Sequence, residues 1–198
     1  MKTMKIRIIA IGLLPLFFAA CGGSGDSYTP KPTTYYRITL PDKAYEVCDT
    51  AALGFTFERA SKSQVIFKKD NSSVKWIDIV YPEYNGVLFL SCKKLKNTAA
   101  LAMEVDTAYQ LLQLHFQKSS GMDEQSYTDH VNKVYATVYR LKGQQIASTC
   151  QFWATDSSRN FVRGALYINS TPNYDSLKPV IDYLQADIDH LVGTIRWR

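Results

Sequence analysis

Histidine is scarce in this chain, with three in 198 residues: His115, His130 and His190. None has a second imidazole four residues away or a cysteine at ligand spacing, and the HExxH pattern is missing, so no metal ligand is assigned. Cysteine is nearly as sparse, at Cys21, Cys48, Cys92 and Cys150. These spacings exclude a CxxC redox motif and any short metal-binding pair. Glycine-rich phosphate loops are missing too, because the densest glycines, Gly22, Gly23 and Gly25, sit in one short stretch near the start. No GxSxG elbow supplies a nucleophile. Asp187 and Asp189 flank a helix without facing each other, and Asp123-Glu124 reads as a solvated loop, so the acid/base pair of a hydrolase is not evident. No catalytic residue and no cofactor is expected, and the chain reads as a non-enzyme.

A strong excess of one charge is likewise lacking. The formal net charge of +5 owes much to Lys2, Lys5 and Arg7. Without residues 1–20 the chain keeps 20 of its 23 basic residues against 18 acidic ones, about +2. Nothing resembles the dense basic stripe of a nucleic-acid binder, and Lys93, Lys94 and Lys96 decorate the end of a strand, so no nucleic-acid partner is expected. Beyond the leader, no apolar run approaches the ~20 residues that a spanning helix requires.

What is present begins with that leader. Lys2, Lys5 and Arg7 form a basic n-region, Ile8 to Phe18 an apolar h-region, and Phe18-Ala19-Ala20-Cys21 a lipobox-like end. Small residues at 19 and 20 let a signal peptidase close on the backbone, and the Cys21 thiol accepts diacylglycerol. Residues 1–20 are therefore read as a lipoprotein signal peptide and Cys21 as the lipidation site, carrying acyl chains such as palmitate. Several acyl chains hold a protein on a membrane stably where one does so only marginally.

Residues 21–34 read as a lipidated tether: Gly22 to Ser27 is flexible, and Tyr28-Thr29-Pro30-Lys31-Pro32 is stiffer. At about 3.1 Å per extended residue it reaches up to about 40 Å from the lipid. The remaining cysteines, Cys48, Cys92 and Cys150, are read as small buried hydrophobes, as one disulfide with an odd thiol left over, or as a functional thiol, and spacing does not select among these.

Residues 35–198 read as a single domain. Strands are expected at Tyr36–Leu40, Phe55–Phe57, Gln64–Phe67 and Trp76–Tyr81, the last returning through Asn85-Gly86 into Val87–Leu90 as a hairpin. Leu101, Val105, Ala108, Leu112 and Phe116 then trace one face of an amphipathic helix. A three-strand antiparallel meander follows over 133–141, 146–154 and 161–168. The closing segment is helical, capped at Asp175 or Ser176, with Pro179 in its first turn and an apolar face from Leu177 to Ile195. Asp187 and His190, three residues apart, can meet on one face of it, as a salt-bridge-like pair or a helix-end interaction. Strands, helix, strands, helix gives an α+β domain: an antiparallel sheet packed with two main helices, similar in pattern to the Mog1/PsbP-like architecture.

The segments Asp156-Ser157, Phe161 to Asn169, Pro172 to Leu184, His190-Leu191 and Ile195-Arg196-Trp197 resemble the C-terminal half of the gliding motility lipoprotein GldD family of Bacteroidota. Tyr28 to Pro32, Tyr36-Arg37-Ile38 and Leu40-Pro41 resemble that family's segment after the lipobox. The resemblance spans the mature chain and is weakest from Lys93 to Gln125. Glu58-Arg59 and Lys75 depart from the family pattern, so no disulfide is carried over.

The resemblance implies an envelope lipoprotein needed for gliding and linked to the type IX secretion apparatus, with no assigned catalytic residue. Its expected partners are the membrane, through lipid on Cys21, and envelope proteins of that machinery. With no acidic run after Cys21, the domain is expected to face the periplasm from the inner or outer membrane. In this lineage Asp49-Thr50-Ala51, Asp106-Thr107-Ala108 and Asp175-Ser176-Leu177 also fit an O-glycosylation pattern. The contact candidates are Arg163, Gly164 and Tyr167, with Arg196 and Trp197; their alternative role is to lock the last helix onto the sheet. Two other readings stand beside the accessory factor. One is a lipoprotein binding a small ligand or cell-wall fragment, which needs a roomy pocket beside the sheet. The other is an envelope hydrolase, which needs a nucleophile and base that only folding brings together.

Overall fold

The computed structural model describes residues 38–49, 53–68, 74–144, 146–170 and 174–198. The leader, Cys21 and the tether lie outside these residues. Among the described residues, ten strands and two long helices follow in the order β1 (Tyr45–Asp49), β2 (Phe55–Ala60), β3 (Gln64–Phe67), β4 (Val74–Tyr81), β5 (Gly86–Lys94), α1 (Thr98–Phe116), β6 (Gly121–Asp129), β7 (Val134–Lys142), β8 (Ser148–Thr155), β9 (Asn160–Ile168), α2 (Tyr174–Gly193) and β10 (Arg196–Trp197). Seven strands form one antiparallel sheet in the order β3-β4-β5-β9-β8-β7-β6, and β1-β2-β10 form a second, smaller one. This is the α+β arrangement of antiparallel sheets and two packed helices that the alternating patterns predict.

Strand periodicity divides the large sheet into two faces. Ile77 and Ile79 on β4, Leu88 and Leu90 on β5, Val162 and Leu166 on β9, Cys150 and Phe152 on β8, and Ala136 and Val138 on β7 point to one side. There they meet Phe55 and Phe57 of β2 and the Val180, Leu184, Ile188 and Leu191 stripe of α2 in the main core. The other face carries α1, whose Ala108 and Leu112 pack with Phe161, Tyr139, Leu141 and Trp153. Phe116, expected on that packed stripe, is instead substantially exposed with Leu111, Leu114 and Met103, because α1 covers only part of the sheet.

The β4–β5 hairpin forms as expected, with a 3₁₀ turn over Pro82–Tyr84. Asn85 takes the left-handed conformation at φ 49°, which a short polar side chain tolerates. Three features differ from the expectation. Ile38–Leu40 is irregular rather than a strand; Leu40 instead packs against the main core. β1 and β6 were not anticipated, since β1 buries only Cys48 and β6 is polar at Asp123, Glu124, Gln125 and Ser126. Both pair on one side only, so neither shows apolar alternation. Pro179 lies in the second turn of α2, because the helix begins at Tyr174.

Candidate functional site

An acidic residue interrupts the apolar stripe of α2. Asp187 stands between Leu184 and Ile188, and its side chain is 2% exposed. A carboxylate this deep must be compensated. Lys43, from the segment entering β1, places Nζ 2.5 Å from Asp187 Oδ1, 2.7 Å from the Tyr183 carbonyl to which it donates, and 3.6 Å from the Tyr183 ring centroid. The Tyr45 hydroxyl donates to the same Oδ1 at 3.1 Å. Tyr81 and Tyr84, at the end of β4 and in its turn, close the surroundings, with Tyr84 5.4 Å from Tyr183 between rings.

Burial, then the Asp187 charge, pushes the phenols of Tyr45 and Tyr81 well above the ordinary tyrosine range. Tyr84 is pushed up to about 12, by burial first and then by neighbouring Tyr183. All three are neutral hydrogen-bonding groups at physiological pH.

Asp187 and His190 do not pair, contrary to the spacing argument. The Tyr45 ring inserts beside them, stacking on His190 at 3.6 Å between centroids and 11° between planes while its hydroxyl serves Asp187. His190 Nε2 lies 2.6 Å from Glu58 on β2. Asp189, one step round the helix, pairs with Arg140 at 2.5 Å. The knot of Lys43, Tyr45, Tyr183 and Asp187 was not found in the sequence, although an acidic residue inside an otherwise apolar helical stripe was a visible signal.

The contact candidates separate into three environments. Arg163 and Tyr167 lie on the α1 face of β9, where Arg163 donates to Gln151 at 2.7 Å and the Tyr167 hydroxyl lies 3.3 Å from His115 Nε2. Burial, then the charges of Arg163 and Lys118, lowers His115 below its ordinary range, so its imidazole is neutral. Gly164 lies on the opposite, core-facing side under Phe152. Arg196 and Trp197 close the small sheet: Trp197 Nε1 donates to the Lys133 carbonyl at 3.0 Å, its ring packs on Phe55, and Arg196 donates to the carbonyls of Gly193 and Ile195. Beyond Tyr167, the neighbours on this face are Phe89, 5.5 Å away between rings, then Asp78, which stands opposite both Phe89 and Ile66 and pairs with Lys68 at 2.8 Å, with Trp76 next to Asp78 along the same face of β4.

Cys48, Cys92 and Cys150 are all buried thiols, in agreement with the small-hydrophobe reading. Burial pushes both Cys92 and Cys150 up to about 12, so thiolate is negligible at pH 8. In the native protein these two are expected not to react with a disulfide reagent over minutes, and to react fully in denaturant; rapid native labelling of either would contradict the burial.

Asp156 organises the β8–β9 turn. It accepts from the backbone N–H groups of Ser158, Arg159 and Asn160 and from the Asn160 amide. Burial raises this carboxyl, but the hydrogen bonds outweigh it and hold the pKa below the ordinary range. A depressed folded pKa adds stability above the unfolded value and loses it as pH falls through the folded value. Asp156→Ala is expected to cost about 1–2 kcal/mol at pH 7. That cost should shrink below about pH 4, as urea midpoints across pH would show.

Of the Asp-Ser/Thr triplets, Thr107 lies within α1 with its hydroxyl donating to the Met103 carbonyl, Ser176 lies in the first turn of α2, and Thr50 is outside the described residues. His190 engages Glu58, His115 faces Tyr167, and the His130 ring stands edge-on to Tyr135. No Ser, Thr or Cys takes part in these three contacts.

The family model described as gliding motility lipoprotein GldD matches residues 25–197. Comparison with curated proteins returns no match. Among solved structures, the chain is similar to the solution structure of cyanobacterial PsbP (CyanoP) from Synechocystis sp. PCC 6803, at 12% identity and a TM-score of 0.47, over 82% of this chain and 98% of that one.

Proposed function

The chain belongs to the gliding motility lipoprotein GldD family, a family of membrane-anchored envelope proteins involved in gliding, and from that premise we propose that it is a non-enzymatic accessory or assembly factor of the gliding and type IX secretion apparatus, acting through protein contacts. The observation that carries this reading is the part of the large sheet that α1 leaves uncovered. Ile66, Trp76 and Phe89, on the adjacent strands β3, β4 and β5, are 45%, 50% and 42% exposed on one face, around the Asp78–Lys68 ion pair and bordered by Arg163 and Tyr167. Solvent-facing aromatics on adjacent strands are the kind of surface that partners cover, and covering one of these half-exposed side chains contributes about 1 kcal/mol, roughly half of what full burial of a large apolar side chain gives. Aromatic and arginine side chains are also the types that dominate binding energy at interfaces.

The anchor is lipid on Cys21, and the domain faces the periplasm. No described helix is long and apolar enough to cross a membrane. Protease treatment of intact cells should leave the domain intact; its loss would put it on the outer surface.

Replacing Trp76 by Glu together with Phe89 by Lys tests the contact face. Both side chains are half in solvent, so each change should move stability by about 0.5 kcal/mol or less. Gliding and co-purification with envelope partners should be lost while the melting temperature holds. Full motility in the double variant would remove this face from the account.

A second reading, a small-ligand or cell-wall-fragment binder, is favoured by one feature. A cavity of about 460 Å³ opens beside the start of β8, the end of β9 and the start of α2, lined by Ile146, Thr149, Tyr167, Tyr174, Leu177 and Ile181. That size suits a small organic ligand.

A further inference from the structure

Helix α1 is apolar on more sides than its packing uses. Of its 19 residues only Glu104 and Asp106 are charged, the His115 imidazole being neutral, yet only Ala108 and Leu112 are buried. A helix that is apolar all round belongs in an interior. Two contacts fix how α1 is turned: Glu104 takes the Lys93 ammonium of β5 at 2.7 Å, and His115 Nε2 lies 3.3 Å from the Tyr167 hydroxyl of β9. Leu111, seven residues after Glu104 and four before His115, shares that flank, and Leu114 and Met103, 61% and 71% exposed, lie next to it around the helix. The flank overlooks the strands that α1 leaves bare. Floor and wall therefore make one groove, with Phe89, Trp76 and Ile66 below and Leu111, Leu114 and Met103 beside.

We infer that this groove receives an amphipathic α-helix of the envelope partner, laid along the strands beside α1 with acidic residues on its α1-facing side. The inference rests on the protein-contact reading and adds the partner's shape and charge. Three strands at about 4.8 Å spacing give a floor roughly 10–14 Å wide, which is the diameter of one helix with its side chains. A helix packed about 8–10 Å from α1 touches floor and wall together. Lengthwise, the nine residues of β5 match about 20 residues of helix. A strand added to the open edge would find only the four residues of β3 and would leave the wall bare. Charge selects the partner's sign. Lys68 and Lys93 are matched by Asp78 and Glu104, but Arg163, which donates to the Gln151 amide oxygen, and Lys118, which follows α1 near His115, have no carboxylate partner among the described residues. Arg163 stands opposite Ser91 of β5, at the corner between floor and wall. Two surplus cations there complement Asp or Glu on the incoming helix, whose apolar residues at three- and four-residue spacing would face Phe89 and Trp76.

The test is photo-crosslinking in gliding cells from p-benzoylphenylalanine placed in the full-length chain at position 76 on the floor and, separately, at position 114 on the wall, with the marked partner residues read by mass spectrometry. Both probes should mark one segment of one protein, at residues three or four apart. With the probe at position 76, Leu114→Glu should cut the adduct roughly tenfold and Leu114→Lys by about threefold at most, since like charge is rejected where opposite charge is accepted. Position 114 is largely in solvent, so both variants should keep the parent melting temperature.

Adducts from position 76 with none from position 114 would overturn the docked helix and leave the protein contact standing. Marked residues two apart would mean an added strand and would overturn it too. So would adducts that contain only a second copy of this chain, or only phospholipid. Equal losses in Leu114→Glu and Leu114→Lys would overturn the acidic character of the partner helix. No adduct from either position would remove the contact reading and the docked helix together.

Discussion

Replacing Gly164 by alanine is expected to cost about 3 kcal/mol and lower the melting temperature by about 6–12 °C. A Cβ built at this position would lie 2.1 Å from Phe152 Cε1 and 2.7 Å from its Cζ. Phe152 is 1% exposed and faces Gly164 directly across the β8–β9 register. Its ring has no open side to move into, because Ala136, Val138, Leu166 and the α2 stripe form the same core. Close-packed interiors resist even one added methyl group, and an aromatic ring pressed from beneath must leave its rotamer or push the helix away. Phe152→Leu in the same chain should recover part of the loss, giving a favourable coupling between the two sites in a double-mutant cycle. Thermal unfolding of the four proteins measures it. A Gly164→Ala protein as stable as the parent would show that the strand accommodates a side chain there, and would return position 164 to the group of surface contacts.

The second large effect is at the entrance to β1. Lys43→Met leaves the Asp187 carboxylate buried with Tyr45 alone on Oδ1, and should destabilise the fold by about 3 kcal/mol, the lower end for breaking a buried pair, because Lys43 itself is partly exposed. The loss should be local first. Hydrogen exchange along residues 38–44 is expected to rise before exchange in the β5–β9–β8 core, since the ammonium fastens this segment to α2 through both the Asp187 carboxylate and the Tyr183 carbonyl. Adding Asp187→Leu to Lys43→Met removes the stranded charge and should recover most of the stability. If the single variant matched the parent, solvent would be reaching Asp187 freely, and the knot would be a surface ion pair of little consequence.

Periodicity made most of the sheet legible. β4 to β5 and β7 to β9 carry alternating or continuous apolar residues because they are central strands with neighbours on both sides, and α2 shows its stripe because one face meets the main core. The elements that escaped notice are those where burial is slight. β1 buries one residue of five and β6 none, so their sequences obey solvent rather than a core. Phe116 fitted a helical stripe by spacing alone, but spacing cannot tell how far a sheet extends beneath a helix.

The site was harder to read because its parts lie far apart in the chain. Lys43 and Asp187 are 144 residues apart, and Tyr81, Tyr84 and Tyr183 look in sequence like three of 13 unremarkable tyrosines. Asp187 alone carried a signal, a charge where α2 should be apolar. Arg163 and Tyr167 did come to rest at the edge of the exposed aromatic face, whereas Gly164, between them, turns inward as strand alternation requires.

The central claim is that the uncovered sheet face meets a partner in the envelope. Its most direct test is photo-crosslinking in living cells from a probe placed at position 76 and, separately, at position 131 in the exposed β6–β7 turn. Adducts from position 76 that contain components of the gliding or type IX machinery, with none from position 131, are the predicted result. The same adducts from both positions, or none from position 76 in cells that glide, would contradict it.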